Sequence, residues 1–197
     1  MSQIFTPERL IVYVVASDDG LAPNVSADYC SLTVCKPVVR RVARPLKDWV
    51  VGMSTNKHGA TKLIYTMQVE EKLPYNAFFK DSRFELKKPC LKRPFGDNFI
   101  LNDEAVLPWA CHYSKPDKMR ANLKPPFSLV GQNYWYFGCN APILPKNMWQ
   151  TKLVQGPRRG HKIVDNPAHV AQFYHWIKKN FNTGVHGAPR DQSPFFS

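Results

Sequence analysis

The sequence predicts an α+β chain: a small, mixed, barrel-like sheet flanked by helices, with an amphipathic helix near the C-terminus. Three observations carry this. Short apolar segments of strand length recur between residues 10 and 137. Seventeen prolines in 197 residues suit short strands joined by loops, because proline removes a backbone donor and breaks helix interiors. The best helical stripe lies near the end, at residues 166–181. No repeat or long linker divides the chain, and one core typically serves ~100–200 residues. Residues 1–187 are therefore expected to form one domain and residues 188–197 a loose tail.

The elements follow in order. Leu10 to Ala16 is apolar on both faces and reads as a buried central strand, with a polar turn or loop from Ser17 to Asn24. Ser31 to Cys35 reads as a second strand, and Pro37 as the first residue of a short helix ended by Pro45. Asp48 to Met53 is a third strand and Asn56 to Gly59 a turn. In the next strand Leu63, Tyr65, Met67 and Val69 alternate onto one face, with Ile64 out of pattern. A short helix is expected over Tyr75 to Asp81, an exposed basic loop over Lys87 to Pro94, and strands over Asn98 to Leu101 and Leu129 to Phe137. The stretch from Trp109 to Pro126 is irregular and basic. Asn166 is a natural N-cap and Pro167 a natural first helical residue. Val170, Phe173, Tyr174, Ile177 and Phe181 then make one apolar stripe, and Gly184 lies just past the helix end.

The net charge is +12, from 27 Lys and Arg against 15 Asp and Glu. Such a balance favours a polyanionic partner, because neutralising phosphates releases counterions. The five cysteines are odd in number, and no signal peptide is expected, since the first residues lack a basic segment followed by an apolar one. Reduced thiols in a cytoplasmic setting, the host's if the chain is phage-encoded, are the simplest reading. No apolar run reaches the ~20 residues of a membrane span, so no membrane partner is expected.

Glycine-rich phosphate motifs, HExxH, GxSxG and paired CxxC are all missing, which argues against the common nucleotide hydrolases and metalloproteases. No metal site or cofactor is expected, and Cys30 and Cys35 read better as small core residues than as ligands. Lys36, Arg40, Arg41 and Arg44 surround a short helix and form either a phosphate grip or a solvated basic face. Arg158, Arg159 and His161 sit in a glycine-flanked loop suited to a phosphate, and His161 could also move a proton. Asp18 sits in a loop after a buried strand, either as a site residue or in a plain turn. Asp97 and Asn98 could pair with a base edge or form an Asx turn. Across Tyr134, Trp135, Tyr136 and Phe137, alternation sends Trp135 and Phe137 one way and the tyrosines the other. One face can fill the core while the other offers stacking planes.

One family shares the order of these motifs. They run Tyr13-Val14-Val15-Ala16, Asp18, Gly20, Ala22-Pro23-Asn24, Cys30, Cys35-Lys36-Pro37, Arg40 and Asp48-Trp49-Val50-Val51-Gly52. They continue through Leu63-Ile64-Tyr65, Arg83-Phe84, Gly96-Asp97-Asn98, Trp135-Tyr136-Phe137-Gly138, Asn140-Ala141-Pro142 and Arg159-Gly160-His161. Over roughly residues 10–187 the chain resembles the second of the nucleotide-modification-associated domain families, tied in phages and bacteria to hypermodification of DNA bases. It departs from that pattern at Lys47, where a glycine is expected before Asp-Trp; a turn glycine is lost there and no function is expected to change. The middle of the chain is also similar to the PUA-like barrels, including EVE and ASCH domains. That similarity implies a pocket for a flipped or modified base lined by Trp49, Asn98 and one of Tyr134 or Trp135.

Two functional readings follow. The chain binds modified DNA or a modified nucleotide, with Lys36, Arg40, Arg158, Arg159 and His161 on phosphates. Alternatively it is an enzyme that installs, processes or removes a base modification, with Asp18, Cys35, Asp97 and His161 as candidates, alone or beside partner base-modifying enzymes. A weaker third reading is a phage protein that blocks a host protein by surface contact.

Overall fold

A computed structural model describes residues 3–55, 61–90, 96–98, 124–148 and 160–191. Along them run β1 (Arg9–Val15), β2 (Asn24–Ser26), β3 (Tyr29–Leu32), α1 (Pro37–Val42), β4 (Asp48–Ser54), β5 (Leu63–Gln68), β6 (Glu71–Pro74) and α2 (Tyr75–Lys80). They are followed by β7 (Phe127–Gly131), β8 (Tyr134–Tyr136), β9 (His161–Val164), α3 (Pro167–Asn180) and β10 (Gly184–Val185). One sheet has the order β10-β8-β5-β4-β1-β9 and the other β2-β3-β7-β6. Both sheets keep open edges, so the described strands form no closed barrel. The fold is a mixed α+β arrangement of two sheets.

The parallel pair β1 and β4 decides this layout. Arg9 stands beside Asp48 and Val15 beside Ser54, so both strands run the same way. Parallel strands need a crossover of a dozen or more residues. Here β2, β3 and α1 supply it, and the two short strands build the second sheet with β7 and β6. The carboxyl ends of β1 and β4 therefore lie side by side.

Both faces of the six-stranded sheet are covered. On one, Leu10, Val12, Trp49, Val51, Trp135 and Phe137 pack with Val170, Phe173 and Ile177 of α3. On the other, Ile11, Tyr13, Val50, Met67, Tyr134 and Tyr136 pack with Cys30, Leu32 and Leu129 of the second sheet and with Val39 of α1. This two-sided burial explains the continuous apolar run of β1. It also changes the role expected of the aromatic run: alternation separates Trp135 and Phe137 from Tyr134 and Tyr136, yet both sets are buried.

Some expected boundaries shift. A register irregularity at Gly52/Met53 pairs Gly52 with Tyr65 and Met53 with Leu63, leaving Ile64 as an extra residue. Leu63 thereby faces α3, while Tyr65 and Met67 face the second sheet. The expected strand from Leu129 to Phe137 is two strands, β7 and β8, in different sheets. The expected strand at Ser31 to Cys35 is shifted back to Tyr29–Leu32, because Cys35 and Lys36 take left-handed backbone angles. The turn at 56–59, most of the expected strand at 98–101 and most of the basic stretch at 109–126 lie outside the described residues.

The helix of residues 167–180 forms as its sequence dictates. The Asn166 side chain accepts from the N–H groups of Ala168 and His169, and Pro167 opens the first turn. No helix among the described residues is long and apolar enough to cross a membrane.

Polar clamps lock the frame away from the strand carboxyl ends. Asp48, fully buried at the start of β4, accepts from Arg9 Nε at 2.9 Å, Arg9 Nη2 at 2.9 Å and the Arg44 backbone N–H at 2.8 Å. Burial alone would raise its carboxyl pKa, but the hydrogen bonds from Arg9 and Arg44 outweigh that and hold it below the usual value. In the second sheet, Asp97 accepts from Ser31 Oγ at 2.6 Å and Thr33 Oγ1 at 2.8 Å. Asn98 Nδ2 donates to the carbonyls of Phe78 and Phe84. Gly96 permits the close approach, since a Cβ there would stand 2.4 Å from the Lys87 carbonyl oxygen. Lys87, expected in an exposed loop, is wholly buried, and its Nζ donates to Asn24 O, Asn24 Oδ1 and Tyr29 O.

Candidate functional site

In open α/β sheets, ligands bind outside the carboxyl ends of parallel strands. In this chain β1 ends at Val15, and Ala16 and Ser17 leave the sheet as a loop. A cavity of about 380 Å³ opens there. Its walls include Val15, Leu21, Pro37 and Val39, and its polar groups are Ser17, Asp19, Cys35, Lys36 and His161. A second cavity, of about 400 Å³, lies on the other side of Ala16. It is lined by Ser54 and Thr55 from the end of β4, by Lys62 and Ile64, by Cys139, and by Arg190 and Asp191.

Local structure places these groups. Cys35 and Lys36 have φ of 60° and 42°, sparsely populated angles for residues with a Cβ. This double turn reverses the chain ahead of α1 and brings both side chains to the first cavity. Lys36 Nζ donates to the Val14 carbonyl at 2.9 Å and lies 4.9 Å from the centre of the Tyr13 ring. Burial lowers its pKa. His161 opens β9 and pairs with Tyr13 across the sheet, which sets the imidazole at the cavity edge.

Asp18 is buried beside both cavities. Its Oδ1 accepts from Tyr136 OH at 2.7 Å and its Oδ2 from the Arg190 backbone N–H at 3.3 Å. Its own N–H donates to Asp191 Oδ2 at 2.8 Å, and the Asp191 N–H returns a bond to the Asp18 carbonyl. Burial raises the Asp18 carboxyl pKa, and the bonds from Tyr136 and Arg190 offset only part of that. Below it, Tyr13 OH and Tyr65 OH meet at 2.8 Å, and burial pushes both phenols upward.

The C-terminal segment completes the second cavity. Where a loose tail is expected from residue 188, the Ala188 carbonyl accepts from the Cys139 N–H, and Asp191 is bound to Asp18. Gly138 has φ +52°, and a Cβ there would stand 2.0 Å from Ala188 O. Only a glycine lets the two backbones come so close.

The family comparison agrees with the motif order. The family model for nucleotide modification associated domain 2 matches residues 7–194. The chain belongs to that family. It is therefore a domain associated with nucleotide modification. No curated protein and no solved structure matches it.

Within this nucleotide modification associated domain, Cys35, Lys36 and His161 line the first cavity and Asp18 sits behind it. The other expected residues lie elsewhere. Trp49 stacks on Trp135, ring centres 5.2 Å apart, in the core beneath α3. Tyr134 is buried on the opposite face. Asp97 and Asn98 are wholly buried, Asp97 bonded to Ser31 and Thr33 and Asn98 to the carbonyls of Phe78 and Phe84. Arg40 is wholly buried, and its guanidinium donates to the carbonyls of Cys35, Pro125 and Phe127 and to Tyr75 OH, so it braces α1. Arg158 and Arg159 lie outside the described residues. Among the described residues no group of three or more His, Cys, Asp or Glu is placed to hold a metal ion.

Sequence reasoning missed Asp19, Thr55, Lys62, Arg190 and Asp191. Asp19 was within reach, since it falls in the loop already singled out after β1. Arg190 and Asp191 carried no local signal, because their place depends on a contact with Asp18 more than 170 residues away.

Proposed function

We propose that this domain binds a modified base or nucleotide in the crevice at the carboxyl ends of β1 and β4. One observation carries the reading: an apolar-walled cavity of about 380 Å³ on which Asp19, Lys36 and His161 converge. Small-molecule sites typically combine ~300–1,000 Å³ of mostly apolar space with a few polar groups that fix orientation. The walls suit the flat face of a base, Asp19 suits an exocyclic amine or sugar hydroxyl, and Lys36 and His161 suit an anionic group. The net charge of +12 draws in a phosphate-bearing ligand. DNA carrying the modification, or the free nucleotide, would supply it.

Calorimetric titration with plain and 5-substituted pyrimidine nucleotides tests this. Val38 lines the cavity at its exposed rim, so Val38→Trp fills the space from outside the core. The expected result is binding by the wild type and at least a tenfold loss in Val38→Trp at unchanged melting temperature. Equal binding by both would remove the ligand from this cavity.

A second reading is favoured by a separate observation, that Cys35 and His161 border the same cavity. A thiol and an imidazole facing one ligand can serve nucleophilic or acid–base chemistry on a base. Cys35→Ser and His161→Asn would then abolish turnover while leaving nucleotide affinity within a few-fold of the wild type.

A further inference from the structure

The second cavity is a built site that the nucleotide reading leaves unused. Ala16, the residue after the end of β1, lines both cavities, so the two are neighbours. Their volumes are similar, about 380 and 400 Å³. Their chemistry differs. The first is walled mainly by aliphatic side chains, while the second presents the hydroxyls of Ser54 and Thr55 with the cations of Lys62 and Arg190.

Ser54, Arg190 and Asp191 are held in place in the second cavity. Ser54 Oγ accepts from the Lys62 N–H at 2.9 Å, which leaves its own O–H to donate. Arg190 is anchored through its backbone N–H to Asp18 Oδ2, and its guanidinium is braced by Asp191 at 2.9 and 3.1 Å. Asp191 is the one carboxylate in the lining, and it is engaged by Arg190 and by the Asp18 N–H. The Lys62 ammonium has no acidic partner among the described residues. Hydroxyl donors beside cations match a phosphodiester oxygen.

We infer that this second cavity is a subsite for the phosphate-linked neighbour of the bound nucleotide, so that the preferred ligand is a single-stranded segment of at least two nucleotides. The inference rests on the nucleotide reading of the first cavity and adds the class of ligand. A base would enter between the aliphatic walls, the chain would cross Ala16, and the next phosphate and sugar would lie against Thr55, Lys62 and Arg190. Positive charge that tracks the backbone is the feature this groove shares with single-strand binders in general.

Calorimetry on the whole chain tests the inference. The probes are the 5-hydroxymethylated deoxycytidine monophosphate and dinucleotides carrying that base at either the 5′ or the 3′ position. The variants are Thr55→Trp, which fills the second cavity, and Lys62→Ala, an exposed change that leaves the fold alone. One dinucleotide is expected to bind the wild type at least tenfold more tightly than the mononucleotide. Both variants are expected to bring it back to the mononucleotide level while the mononucleotide affinity stays unchanged. Lys62→Ala should also lower the salt dependence of dinucleotide binding by about one unit of log–log slope. Mononucleotide binding with no dinucleotide preference would overturn the subsite and leave the first cavity standing. No wild-type binding of the mononucleotide would overturn the nucleotide reading itself.

Discussion

Replacing Asp48 with asparagine isolates a charge at constant shape. Asp48→Asn adds no cavity, but the new amide group turns donors toward Arg9 and Arg44 where a carboxylate accepted them. Removing one member of a fully buried pair costs about 3–5 kcal/mol. Here the carboxylate is fully buried, but the Arg9 side chain keeps 20% of its exposure and a bond to the Val42 carbonyl. That places the loss through Arg9 at the lower end, about 3 kcal/mol. The more exposed Arg44 returns to water and to Glu8 and adds no counted loss. For a chain of this length the melting temperature should fall by about 6–12 °C at pH 7.

The pH dependence supplies a second reading of the same group. The folded state holds the Asp48 carboxyl below its usual pKa. Its stabilisation is therefore fully present above the unfolded value, near ~3.9, and is lost as pH falls through the lowered folded value. Melting curves of wild type and Asp48→Asn, followed by circular dichroism, should differ at pH 7 and converge as pH falls through the lowered folded value. The ligand site should be untouched, because Asp48 opens β4 and the crevice lies at its other end, about 20 Å along the strand. A pH 7 shift under about 2 °C, or one that persists unchanged at low pH, would refute the assignment of this energy to the buried charge.

The other expectations concern the second sheet and the crevice. Lys87→Met should cost about 3–5 kcal/mol, because it leaves buried acceptors and the Asp97 carboxylate without their cation. In urea titrations the Lys87→Met/Asp97→Asn double variant should then be less destabilised than the sum of the single variants, and strict additivity would show that the two charges do not interact. Asp18 behaves oppositely to Asp48. Burial raises its pKa, so its contribution is full below the unfolded value near ~3.9 and declines as pH rises through the folded value. The stability of wild type relative to Asp18→Asn should accordingly fall as pH rises from the unfolded value through the raised folded value, and a difference that grows with pH would contradict the shift. Gly138→Ala should release the C-terminal segment, because the added Cβ meets Ala188 O and the φ of +52° disfavours a side chain. Hydrogen exchange should quicken at Cys139 and Asp191 while β4 stays protected, and unchanged exchange there would show that the segment does not depend on this close approach.

Local chemistry made much of the fold readable from the sequence. Apolar runs specified β1 and β4. Pro37 opened α1, and Asn166, Pro167 and the stripe from Val170 to Ile177 specified α3. The alternation of Trp135 and Phe137 against Tyr134 and Tyr136 was also correct, since it follows from the two-residue period of a strand. The ordered motifs named the family before any contact was known.

Tertiary structure decided the rest, because burial and pairing are properties of two segments at once. Whether the aromatic faces meet solvent depends on what covers them, and both faces turned out to be covered. Whether Arg40 and Asn98 face a ligand depends on which carbonyls arrive beside them; backbone groups of Pro125, Phe127, Phe78 and Phe84 arrive first. The parallel pairing of β1 with β4 is invisible in either strand alone, yet it gathers Lys36, His161, Lys62 and Arg190 around one crevice. Residue type and local order determined the elements and the family; long-range contact alone determined which polar groups are spent inside the fold and which line the two cavities.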